Sequence, residues 1–224
     1  MSDRPPQTVR LGVLLSGRGS NLQAIIDAIE AGTLSAEIAV VVSNKQDAAG
    51  LERARKHNVT HVWLDPKPFA GRPDSRESYD RALLDVLRKY DVDLVLLAGY
   101  MKIVTTVLVT AYENRMMNIH PSLLPSFPGL DVQKKALDHG CKIAGCTVHF
   151  VTEGVDEGPI IIQAAVPMVE GESPDTLAAR ILEQEHLIYP RAIQLYAERR
   201  LRVEGRRVIV DGAGLPSKSF HNPA

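Results

Sequence analysis

The chain has 224 residues, 45% of them hydrophobic and 24% charged, with a formal net charge of −1. That is ordinary globular composition, with chain enough for one large or two small domains, and the charge gives no overall attraction to nucleic acid or an anionic membrane. Cys141 and Cys146 are too few for a disulfide framework, Met1 to Arg10 has no apolar signal core, and no later apolar run is long enough to span a bilayer, so a reducing, cytoplasmic setting is expected.

Val9 to Leu15 is a short Val- and Leu-rich run that ends in Ser16-Gly17-Arg18-Gly19-Ser20-Asn21. Leu22, Ile25, Ile26 and Ile29 then recur at helical spacing until Gly32, which predicts strand, Gly-rich turn, helix. Strands are expected at 38–42 and 60–64, with a helix between them through about His57. Residues 65–74, with three prolines and a glycine, read as a loop, and Ser75 opens a helix to about Tyr90. The continuous apolar run 94–97 suits a strand buried on both faces; a short helix at 104–112 and a strand at 116–120 follow.

This alternation argues for an α/β fold with a doubly wound, mostly parallel central sheet. The second half reads differently. A Pro-rich loop at 121–129 and a helix at 132–139 precede two strands, 143–151 and 159–169, expected to be antiparallel. A long helix from Ser173 to about Arg199 is expected to be interrupted near Pro190, where a backbone hydrogen bond is lost. A terminal hairpin is expected over 203–210. The expected organisation is a tail at 1–8, a single domain at 9–211 made of two halves (9–120 and 121–211), and a tail at 212–224.

The turn at Gly19-Ser20-Asn21 is a natural anion site, because free backbone N–H groups and the helix dipole face the ligand. Ser20 or Asn21 is expected to cap the helix. A dinucleotide fingerprint would need glycine where Leu22 stands and an acidic residue where Ser43-Asn44 ends the second strand; a P-loop would need Gly-Lys-Ser/Thr. A single phosphate monoester fits what remains, and the plain alternative is a tight turn that merely needs glycine.

Asn118 and His120, two apart on a strand, project to one face at its carboxyl end, the usual place for ligands in open α/β sheets. Together they offer a neutral N–H donor and a proton near neutral pH. Asp156, in the loop joining the two later strands, would hold the imidazole charged if it lay alongside. His139, Cys141, Cys146 and His149 match no standard zinc spacing, and Cys146 alternates into the core with Val148 and Phe150, so no metal is expected. The basic stretch at Arg199, Arg200, Arg202, Arg206 and Arg207 lacks interleaved aromatics and reads as a solvated face.

Several segments resemble the phosphoribosylglycinamide formyltransferases, a folate-dependent formyltransferase family. They are residues 15–26, 43–45, Ser75-Arg76-Glu77 with Tyr79-Asp80, 97–102, 118–125, 149–152, Asp156 and Gln184-Glu185-His186, in the family's order. The resemblance implies that Gly19, Ser20 and Asn21 hold the phosphate of glycinamide ribonucleotide and that Glu185 contacts the same substrate. It implies that Arg76, Met101, Lys102, Ile103 and Val104 line the site of 10-formyltetrahydrofolate, with Asn118 reaching the formyl end. Asn118, His120 and Asp156 match the catalytic trio, and Leu124-Pro125 is expected to be cis. Lys102 departs from the family's frequent Arg, and Leu182 from a polar residue in some members.

No metal, nucleic acid or membrane partner is implied, and a homodimer is left open. Other folate formyl enzymes are the nearest alternatives: a methionyl-tRNA formyltransferase is expected to carry a C-terminal RNA-binding domain, and a formyltetrahydrofolate hydrolase an N-terminal regulatory one. A non-catalytic nucleotide- or folate-binding module is the alternative of a different class.

Overall fold

In the computed structural model, which describes residues 8–212, strands and helices alternate through the first half. They are β1 Val9–Leu15, α1 Ser20–Glu30, β2 Ala36–Ser43, α2 Ala49–Lys56, β3 His61–Trp63, α3 Ser75–Lys89, β4 Leu94–Leu97, α4 Thr106–Ala111 and β5 Met116–His120. The second half adds α5 Val132–Asp138, β6 Ile143–Phe150, β7 Ile160–Pro167, α6 Pro174–Ala197, β8 Leu201–Glu204 and β9 Arg207–Val210. Of the expected tails at 1–8 and 212–224, residues 1–7 and 213–224 lie outside the described residues.

The strands form one sheet in the order β3-β2-β1-β4-β5-β6-β7-β9-β8. β1 pairs in parallel with both β2 and β4, so the winding direction reverses between β1 and β4. β4 and β5 are parallel, whereas β5–β6 and β6–β7 are antiparallel, as expected for the C-terminal half. Helices cover both faces. Leu22, Ile25 and Ile26 of α1 and Leu177, Ile181, Tyr189 and Ile193 of α6 pack with Leu11, Val13, Leu96 and Met117 on one side. Leu83 and Leu87 of α3 and Leu108 of α4 pack with Leu14, Val42 and Val95 on the other. Four buried side chains in a row along β4 follow from this double cover.

Three expectations are corrected. α6 runs unbroken through Pro190; its capping at Ser173, whose side chain accepts from Thr176 N, and its burial outweigh one lost backbone bond. The hairpin starts at Leu201 and pairs through Val210. The loop at 65–74 contains a 3-10 turn at Lys67–Phe69. The Leu124-Pro125 bond is cis, as expected.

Candidate active site

At the carboxyl end of β5, Asn118, His120 and Asp156 come together. His120 Nδ1 lies 3.4 Å from Asp156 Oδ2, and Asn118 Nδ2 donates to Asp156 Oδ1 at 3.3 Å. Gly129 N donates to Asp156 Oδ2 at 2.9 Å, which ties the Pro-rich loop to the same carboxylate. Asp156 adopts a φ of 57°, and bulky Phe127 a φ of 54°. Left-handed backbone is costly for a residue like Phe and clusters where surroundings hold a site in place. Here the Phe127 carbonyl accepts from His120 Nε2 at 3.0 Å and from Ser122 Oγ at 3.2 Å.

His149 joins this cluster, a role that sequence reasoning missed. It faces Asn118 across the β5–β6 ladder. Its Nδ1 lies 2.8 Å from the Phe150 carbonyl, which can only accept, so Nδ1 carries the proton. In the neutral ring Nε2 is then an acceptor, and the Asn118 amide 3.1 Å away must present its NH₂. His149 thereby fixes Asn118 as a donor toward the end of the strand. Only the pairing register could have exposed this, and one strand's sequence does not contain it.

The electrostatics differ from expectation in one respect. Burial is the largest influence on His120 and pulls its pKa below the ordinary 6.5, although the Phe127 carbonyl and the Asp156 carboxylate pull it upward. The imidazole is therefore not held charged at neutral pH; the neighbouring carboxylate only softens the cost of charging it. Burial also acts to raise the Asp156 pKa, but the Gly129 N–H and the His120 ring are among the groups that act the other way, and it stays below its ordinary value.

The Gly-rich turn lies nearby along the sheet edge. Leu14 pairs with Leu97 and Leu97 with Asn118, so Asn118 stands two strand spacings, roughly 10 Å, from the end of β1. Gly19 precedes α1 with a φ of 69°, and a Cβ there would lie 2.7 Å from the Gly50 Cα at the start of α2. Glycine is thus required twice over, by conformation and by contact. No side chain caps α1, contrary to expectation, and its first turn carries no acidic residue. The helix N-terminus is thus left without a side-chain cap, as an anion site would need.

Asn21 does not cap because its Nδ2 donates to Glu185 Oε2 at 2.7 Å, across to α6. Both residues are buried, and burial raises the Glu185 pKa despite the Asn21 bond. A cleft of about 370 Å³ opens beside them, lined by Ser20, Gln23, Ala24, Asp27, Arg53 and His186. The remaining expected residues lie on the other flank. Arg76 is exposed in the first turn of α3, Met101 and Ile103 are exposed, and Val104 is half-buried. Lys102 Nζ lies 4.7 Å from the Tyr79 ring centroid, a cation–π contact that parks it against α3.

Among the described residues no three His, Cys, Asp or Glu side chains form a group able to hold a metal, and no helix is long and apolar enough to cross a membrane. Cys146 is fully buried. The basic C-terminal stretch is partly neutralised: Arg200 bonds Glu198 and the Asp211 carbonyl, and Arg202 pairs with Glu204.

Fold and site together define a doubly wound α/β protein whose polar machinery stands outside the carboxyl ends of its central strands. The chain belongs to the formyl transferase family, whose profile matches residues 9–193. It is 46% identical over 208 residues to the phosphoribosylglycinamide formyltransferase of Escherichia coli K12, covering 93% of this chain and 96% of that one. It is also 49% identical over 195 residues to the trifunctional purine biosynthetic protein adenosine-3 of Drosophila pseudoobscura pseudoobscura, covering 86% of this chain and 14% of that longer one. The crystal structure of glycinamide ribonucleotide transformylase 1 from Symbiobacterium toebii superimposes with a TM-score of 0.88 at 55% identity, covering 91% of this chain and 94% of that one.

Proposed function

We propose that this formyltransferase moves the formyl group of 10-formyltetrahydrofolate to the amine of glycinamide ribonucleotide, a step of cytoplasmic purine synthesis. The observation that carries the reading is the convergence of Asn118, His120 and Asp156 within 3.4 Å at the end of β5, two strand spacings from an uncapped Gly-rich turn. Gly19, Ser20 and Asn21 hold the ribonucleotide phosphate, and Glu185 contacts the same substrate from α6. Arg76 and the segment from Met101 to Val104 flank the folate, and no metal takes part.

The substrate amine attacks the formyl carbon, a new C–N bond forms, and the carbonyl electron pair moves onto oxygen. Asn118, turned by His149, gives up its longer bond to Asp156 and donates to that oxyanion. His120, neutral at rest, takes the proton the amine sheds; Asp156 and the Phe127 carbonyl then stabilise the imidazolium. The proton passes to folate N10 as the C–N10 bond breaks, leaving tetrahydrofolate and the formyl amide. Holding both substrates in one crevice makes the attack effectively unimolecular.

Asn118→Ala and His120→Ala are each expected to lower kcat by about 100-fold or more, with smaller changes in KM. Tetrahydrofolate release is followed with both substrates, and again with the ribonucleotide omitted. Parental rates from both variants would remove the assignment, and equal turnover without the ribonucleotide would make water the acceptor and the enzyme a hydrolase.

A further inference from the structure

Ser16 is buried where β1 gives way to the Gly-rich turn, at the point where the sheet's winding direction reverses. Its hydroxyl donates to Asn44 Oδ1 at 2.6 Å, just beyond β2, and accepts from Met101 N at 2.8 Å, beyond β4. The backbone continues the same stitching: Ala98 N donates to Leu14 O at 2.8 Å and Ser16 N to Gly99 O at 3.0 Å. One buried hydroxyl thus joins the ends of three adjacent strands.

The segment it holds has a second anchor. Thr105 N donates to the buried Asp80 Oδ2 of α3 at 2.6 Å. Between the two anchors Met101 and Ile103 turn their side chains to solvent, 65% and 57% exposed. Large apolar side chains displayed on a strap pinned at both ends are poised for a ligand surface. On the other side, Ser16 is three residues from Gly19, so the turn that meets the phosphate and the strap that meets the folate share one hydrogen-bonded residue.

We infer that Ser16 is a positioning residue that couples the two substrate sites: its hydroxyl transmits ordering of the Gly-rich turn to the strap from Met101 to Val104, so that each substrate tightens the binding of the other. The inference rests on the proposed placement of the two substrates. Such coupling is reciprocal by thermodynamic linkage, and a hydroxyl carried at the root of one segment and bonded to the backbone of the other supplies a physical path for it. Ser16→Ala removes the donor to Asn44 and the acceptor of the Met101 amide while leaving both sites' contact groups in place.

The experiment uses tetrahydrofolate, which has no formyl group to transfer, together with glycinamide ribonucleotide. The Kd of tetrahydrofolate is measured by calorimetry with and without saturating ribonucleotide, on the full chain and on Ser16→Ala. The parental protein is expected to bind tetrahydrofolate about fivefold or more tightly when the ribonucleotide is present, and the variant within about twofold either way. In the same samples the ribonucleotide should slow hydrogen exchange at the Met101 amide in the parental protein and not in the variant.

A variant that keeps the parental ratio overturns the inference, as does a parental protein that binds both ligands independently. Should Ser16→Ala not fold, Ser16→Cys keeps a side chain of similar shape but offers the Met101 amide only a weak sulfur acceptor, and an undiminished ratio there is equally fatal. Failure of the parental protein to bind either ligand alone would instead bring down the functional reading on which the inference stands.

Discussion

Asp156 shows how much one side chain can organise. Its carboxylate takes the Gly129 N–H at 2.9 Å and the Asn118 amide at 3.3 Å, and faces the His120 ring at 3.4 Å. The His120 pKa is set by a contest that burial wins over this anion. If neutral His120 accepts the amine proton, kcat/KM rises with pH through a limb below about 6.5. Asp156→Asn removes the anion that favours imidazolium, so the limb moves to still lower pH while the plateau rate falls. A pH–rate profile checks the sign; a limb displaced upward, or activity that declines as pH rises through this range, would contradict the assignment. At this scale the sequence offered the residue types, and Asn118 and His120 on one strand face followed from their spacing. The partnership of Asn118 with His149 did not, because it is set across the β5–β6 ladder.

Among the connecting elements, the Pro-rich loop is tied down by β6 and β7. The Thr147 hydroxyl donates to Ser122 O at 2.7 Å and accepts from Leu124 N and Gln163 Nε2, each at 3.0 Å. Gln163 Nε2 also reaches Leu124 O at 2.9 Å. This buried hydroxyl is therefore fully used, and the loop it holds presents the Phe127 carbonyl to His120. Thr147→Val keeps the shape but leaves the Leu124 N–H without its acceptor and Ser122 O without its donor, a cost of about 2 kcal/mol. Thermal unfolding should show a Tm lower by about 4–8 °C in a chain of this size, with kcat reduced as the loop loosens. A Tm unchanged within about 1 °C would show the bonds to be dispensable. The strands and helices around this loop were readable from period and length; α6 was readable except at Pro190, where packing on the sheet overrode the local penalty.

Across the whole molecule, α6 carries Glu185 over the sheet to meet Asn21 of α1, 164 residues away in sequence. Burial raises the Glu185 pKa above its ordinary 4.5. A carboxyl raised on folding contributes stability that is fully present below the unfolded value and lost as pH rises through the folded one. Ionising this group is therefore a burden on the fold, kept where the proposed ribonucleotide binds. Glu185→Gln is expected to raise Tm by about 2–4 °C at about pH 8, with the gain fading toward about pH 4.5, and to weaken ribonucleotide binding by about tenfold or more. Calorimetry of unfolding and of binding on the same variant tests both halves; a variant less stable at the higher pH refutes the first, and unchanged affinity refutes the second.

The order of strands and helices, the parallel first half, the Gly-rich turn and the two-residue spacing of Asn118 and His120 were all written in local pattern, because periodicity and glycine conformation depend on near neighbours in the chain. Tertiary structure alone decided which strands lie side by side. With that order came the bridging position of Ser16, the tautomer of His149 that turns Asn118, and the burial that keeps His120 uncharged at rest. Each depends on contacts between distant segments, and the free energy of a buried charge or hydrogen bond is defined only once its surroundings are assembled.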